Sequence, residues 1–164
     1  MCRCTIDQIT RYMGRISGPL LDRFDLHVSL PPVKLAALRE GSVGETSDVV
    51  RARVVQARDA LHARMRRLSE GDPGRTLVER LTEQVQAEGL RMLHRSMEVL
   101  GLSLRAYVKV LRVAHTIAAL AHTDVISASH VAEAIQYRVL DRDPTRPQSR
   151  ATPTALIPEP EVDA

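Results

Sequence analysis

Residues 101–120, GLSLRAYVKVLRVAHTIAAL, decide the fold. Ser103 stands where a hydroxyl can cap a helix, and no Gly or Pro interrupts the residues from there to about Ala121. Two apolar stripes run along that helix, one through Leu104, Val108 and Leu111, the other through Val110, Val113, Ile117 and Leu120. A surface this wide cannot be covered from one side, so the helix belongs at the centre of a bundle. The fold class is therefore mainly α.

The flanking sequence supplies the rest of the bundle. The segment from about Val85 to Leu100 lines up Leu90, Leu93, Met97 and Leu100 and closes at Gly101, and Thr76 to Gln84 is a short helix before it. Upstream, a long helix runs from about Ser47 to Leu68 with Val50, Val54, Ala57, Leu61, Met65 and Leu68 as its apolar face. Its outer surface is assigned Arg51, Arg53, Arg58, Arg64, Arg66 and Arg67, and the stretch EGDPG at residues 70–74 ends it. Lys34 to Arg39 is a further short helix, followed by a loop from Gly41 to Gly44. Downstream, Ser127 caps a last helix ending near Val139, with Ile126 placed to staple Val131. Residues 141–164 hold five prolines and few core residues, and read as a disordered tail.

The N-terminal part has a different character. Ile6, Ile9, Met13 and Ile16 mark a helix from Ile6 to Ile16, which Ser17, Gly18 and Pro19 break. Pro19 opens a short helix in which Leu20, Leu21 and Phe24 are expected to face inward, with Asp22 and Arg23 outward. Leu26, Val28 and Leu30 then alternate with His27 and Ser29, the period of a half-buried strand, and Pro31 and Pro32 stop it. A lone strand cannot satisfy its own ladder, so it joins a sheet supplied from elsewhere or is extended coil. The chain thus divides into 1–33, a helical domain at 34–140, and the tail at 141–164.

Composition narrows the chemistry. The 164 residues include one Phe, three Tyr and no Trp, so aromatic stacking on bases has little material, and the formal net charge of +3 favours an anionic partner only weakly. The two cysteines cannot build a disulfide framework, and no apolar run reaches membrane-span length, so the expected location is cytoplasmic.

Three constellations could carry function. Arg23 sits on a short helix within GPLLDRFDL, held by flanking apolar residues, as a guanidinium aimed at phosphate charge in a neighbouring subunit must be; the plain alternative is a surface arginine paired with Asp22 or Asp25. Arg105 lies in the first turn of the central helix, where unpaired N–H groups already favour an anion, and Lys109 and Arg112 extend a basic edge that is otherwise a solvated face. Cys2 and Cys4 have the spacing of half a tetrahedral zinc site, with no further cysteine to complete it. No G-x-x-x-x-G-K-[ST] phosphate loop occurs, nor an apolar strand ending in paired acids for magnesium, so the sequence does not build a self-sufficient ATPase.

Cys2-Arg3-Cys4, then YMGRISGPLLDRFDLHV, then GLSLRAYVKVLRVAHTIAAL, then HVAEAIQYR resembles, in this order over residues 2–140, the C-terminal part of the magnesium-chelatase-like AAA+ ATPases of the YifB/ComM competence family. The resemblance implies that 1–33 is the last helix and strand of an AAA+ core and that 34–140 is its helical lid. It implies Arg23 as the arginine finger acting in trans, Arg105 as the sensor-2 arginine at the γ-phosphate, and Cys2 and Cys4 as the second pair of a four-cysteine cluster. ATP and Mg2+ would act only together with an upstream AAA+ core, in a hexameric ring of homologous protomers. The family's role is DNA branch migration during transformation. His115 and Ala119 depart from an arginine and an aspartate usual in the family, which reads as an altered lid surface. The chain is expected to be a truncated product of a split, misannotated or frameshifted gene. The competing expectation is a non-enzymatic helical module that binds DNA or a protein partner through the Arg-rich helix.

Overall fold

The computed structural model describes residues 4–32, 44–70 and 74–138. Seven helices form among them: α1 (Ile6–Met13), α2 (Gly18–Leu21), α3 (Ser47–Ser69), α4 (Leu77–Thr82), α5 (Ala87–Leu100), α6 (Leu104–Leu120) and α7 (Ala128–Gln136). The expected helix at Lys34 to Arg39, the tail at 141–164 and the end of the last helix near Val139 lie outside the described residues.

Helix boundaries follow local chemistry. Thr5 and Gln8 close a capping box on α1, with the Thr5 amide 2.9 Å from Gln8 Oε1. Thr76 and Glu79 do the same on α4, where the Thr76 amide donates to Glu79 Oε2 at 2.7 Å. The Ser103 hydroxyl accepts from the Ala106 amide at 3.1 Å and starts α6. Gly101 ends α5 at φ 63°, a left-handed conformation that glycine adopts without a Cβ penalty.

Helix α6 is central, packing on α3, α4 and α7. Of the two stripes expected, Val110 and Leu111 are fully buried and Val108, Val113 and Ile117 pack partly buried against the core. Ala106, Val110, Ala114 and Ala118 form one buried row and Tyr107, Leu111, His115 and Ala119 the next, whereas Leu104 and Leu120, at the helix ends, are exposed. Small alanines let the partner helices approach closely, so contact follows them rather than the larger terminal leucines. Leu68, Leu81, Leu93, Ile126 and Val131 complete the core from the surrounding helices and turns. Ile126 and Val131, the expected staple, are both fully buried in it.

Within this chain Leu26 to Leu30 pairs with no strand and is coil, one of the two outcomes expected of it, with Leu26, Val28 and Leu30 exposed. No neighbouring strand offers it a ladder among the described residues, which show only one isolated parallel bridge, between Val85 and Ile126. There the Gln86 amide donates to Ile126 O at 2.9 Å and the Ile126 amide to Gln84 O at 3.0 Å, tying the start of α5 to the start of α7.

Candidate functional site

The two arginines singled out by the sequence are both exposed and lie on segments that touch. Arg23 lies two residues beyond the end of α2, and Arg105 is in the first turn of α6. Between them, the Ser103 hydroxyl stands 3.5 Å from Asp22 Oδ1, a contact at the outer limit of a hydrogen bond. Stronger links follow within two residues. Lys109 Nζ donates to the Phe24 carbonyl at 3.0 Å and pairs with Asp25 Oδ1 at 3.0 Å. Arg138 Nη1 donates to the same carbonyl at 2.5 Å, and the His27 amide donates to Tyr137 O at 2.7 Å.

These contacts revise how Arg23 is held. Leu20 and Phe24 do not face inward: both are about half exposed, and only Leu21 and Asp22 are partly covered. The segment is fixed through its backbone and its acids instead. Asp25 is spent on Lys109 and Asp22 faces Ser103, so neither acid forms the surface pair with Arg23 that the sequence allowed.

On the basic edge of α6, Lys109 is mostly covered and bonded, while Arg105 and Arg112 remain exposed. The edge is therefore a structural cation one turn behind a solvent-facing one. Sequence reasoning had no role for Lys109 beyond this edge and none for Arg138. The position of Arg138, directly after the last helix within HVAEAIQYR, was the available signal.

The Arg-rich face of α3 also changes. Arg64 is not on the outer surface: it is buried, with Nη1 3.2 Å from His115 O and Nη2 2.6 Å from Thr123 O and 3.1 Å from Asp124 Oδ1. Ala57, Leu61, Arg64 and Leu68 follow one another at spacings of four, three and four, so Arg64 falls on the inner stripe. Arg51, Arg53 and Arg67 pair with Asp48, Glu45 and Asp124. His115 and Ala119 are core residues too, and so lie in the interior of the bundle and not on the surface expected of them. The His115 imidazole donates Nε2–H to Leu81 O at 2.9 Å, and burial holds its pKa below the ordinary value, partly offset by that bond.

Cys4 is exposed, Cys2 lies outside the described residues, and no group of three or more His, Cys, Asp or Glu is placed to hold a metal among the described residues. No helix of the described residues is long and apolar enough to cross a membrane.

Residues 44–138, from the loop before α3 to Arg138, match the family model described as magnesium chelatase, subunit ChlI C-terminal. The chain belongs to this family. Residues 1–38 match the model described as magnesium chelatase, subunit ChlI. Among curated relatives of this magnesium chelatase family, "Uncharacterized protein YifB" of Salmonella typhimurium is 39% identical over 142 residues, 85% of this chain and 28% of the relative. "Competence protein ComM" of Haemophilus influenzae is 36% identical over 141 residues, 85% of this chain and 27% of the relative. "Uncharacterized protein Rv2897c" of Mycobacterium tuberculosis is 33% identical over 140 residues, 84% and 27%. The chain is thus a YifB/ComM-like member of the family, and it spans little more than a quarter of the length of these relatives.

Proposed function

We propose that this chain supplies the helical lid and the arginine-finger segment of a YifB/ComM-type AAA+ ATPase. Arg105 would contact the γ-phosphate of ATP in its own protomer, and Arg23 would reach the ATP of the adjacent protomer in a ring. The observation that carries this is the pair of exposed arginines on touching segments, with the acids beside Arg23 turned onto the bundle. A guanidinium not neutralised by its neighbours presents a planar fork of donors suited to phosphate oxygens. At Arg105 the unpaired amides of the first turn of α6 add to the same preference.

The donor set fits phosphate, which is the substrate's own group. It does not fit Mg2+, which takes carboxylate and water oxygens. Magnesium and the phosphate-binding loop would come from an AAA+ core outside this sequence, and a chain bearing that core is the proposed partner. DNA branch migration is proposed for the assembled ring and not for the bundle alone. The competing module that binds DNA through α3 loses support, because one of its arginines is buried and three are paired with acids.

In the assembled ATPase, Arg23→Ala should lower kcat about a thousandfold or more while ATP binding is kept, as removal of a finger does. Arg105→Ala should weaken ATP binding as well as turnover. Full turnover with Arg23→Ala overturns the finger assignment, and is checked by steady-state hydrolysis beside equilibrium nucleotide binding.

A further inference from the structure

We propose that Lys109 and Arg138 are positioning residues that clamp the Arg23 segment onto the helical bundle, so that the finger moves with α6. This rests on the assignment of Arg23 as the finger. The clamp is centred on one atom. The Phe24 carbonyl oxygen has two lone pairs, and it accepts from two cationic donors, Lys109 Nζ at 3.0 Å and Arg138 Nη1 at 2.5 Å. Bonds from charged donors are about twice as strong as neutral ones.

Neither cation is a loose surface group. Arg138 is 1% exposed, and the side chain of Lys109 is 18% exposed with Asp25 as its second partner. A buried guanidinium without acceptors would be costly, so its surroundings hold it where the Phe24 oxygen can satisfy it. The His27 amide, bonded to Tyr137 O at 2.7 Å, fixes the far end of the same stretch.

The mechanical path is short. Arg105 and Lys109 are four residues apart on one helix, about 6 Å. Lys109 holds Phe24, and the Arg23 Cα is one peptide, about 3.8 Å, further on. A displacement of α6 by phosphate at Arg105 is therefore passed to Arg23 through one side chain and one carbonyl. The two arginines, assigned to different ATP molecules, become parts of one rigid piece.

Two measurements on Lys109 variants test this. In the full chain, Lys109→Met should speed amide hydrogen exchange across residues 24–27 roughly tenfold, with α6 core amides unchanged. Lys109→Arg keeps a donor for both partners and should restore protection to within about twofold. In the assembled ATPase, Lys109→Met should lower kcat at least tenfold with KM for ATP unchanged, and Lys109→Arg should recover it. Arg138→Lys gives a second route, with the same loosening at residues 24–27. Unchanged exchange in Lys109→Met overturns the clamp. Loosened exchange with full turnover overturns its role in positioning. Full turnover in Arg23→Ala overturns the finger assignment instead.

Discussion

His115 is an imidazole placed where a hydrocarbon would be ordinary. It is fully buried on α6, bonded through Nε2–H to Leu81 O, and Arg64 lies against its backbone. Burial is the main cause of its lowered pKa, the bond to Leu81 opposes it, and the nearby guanidinium adds to it. Because the folded pKa lies below the unfolded value of about 6.5, the unfolded state binds more protons between the two. The contribution is complete above about pH 6.5 and is lost as pH falls toward the folded pKa, at up to about 1.4 kcal/mol per pH unit. Urea unfolding at pH 7.5 and 5.5 should show this loss, and His115→Gln, which keeps a donor for Leu81 O, should reduce it. Arg64 illustrates the same scale from the charged side. Arg64→Met leaves His115 O and Thr123 O without their donor and should cost about 1–3 kcal/mol in the same assay. Both positions were legible as inner positions from spacing alone, Arg64 between Leu61 and Leu68 and His115 four residues after Leu111. Residue type hid them, because a charged or polar side chain is expected outside until its acceptors are known.

At the scale of elements, α5 and α7 meet through Gly89. A Cβ there would stand 3.1 Å from both Val131 Cγ2 and Val85 Cγ1. Both valines are buried and stiff at χ1, so neither yields easily. Gly89→Ala gains helix propensity of about 1 kcal/mol but overpacks the contact by about 1–3 kcal/mol, and a net loss of about 1 kcal/mol is expected in denaturant titration. At Gly101 the opposite holds: a Cβ meets nothing within 4 Å, and the cost of substitution is the positive φ alone. The caps Ser103 and Ser127 and the closing Gly101 were readable because they act within a few residues of themselves. The alternation at Leu26 to Leu30 left strand or coil open, because it records which side chains share a side, and a strand also needs a neighbour for its backbone.

Over the whole molecule, the helices from α3 onward and the N-terminal helices differ in how they are held. Ile6, Ile9, Ile16 and Leu20 are exposed, while α6 buries eight residues in the centre of the bundle. Amides of α1 and α2 should therefore exchange through local opening at far lower free energy than those of α6, which should exchange only on global unfolding. Equal protection of α1 and α6 in native-state hydrogen exchange would contradict this. Residues 24–27 should fall between the two, anchored by Phe24 O and the His27 amide. The sequence by itself determined the helical class, the caps, the central place of residues 104–120 and the family, because each rests on spacing or on an ordered set of motifs. Only the tertiary structure decided which acceptors satisfy Arg64, His115 and Arg138, and that the Arg23 segment is fastened by Lys109 and Arg138. Those outcomes depend on acceptors 51, 34 and 114 residues away along the chain, and no local pattern records a partner at that distance.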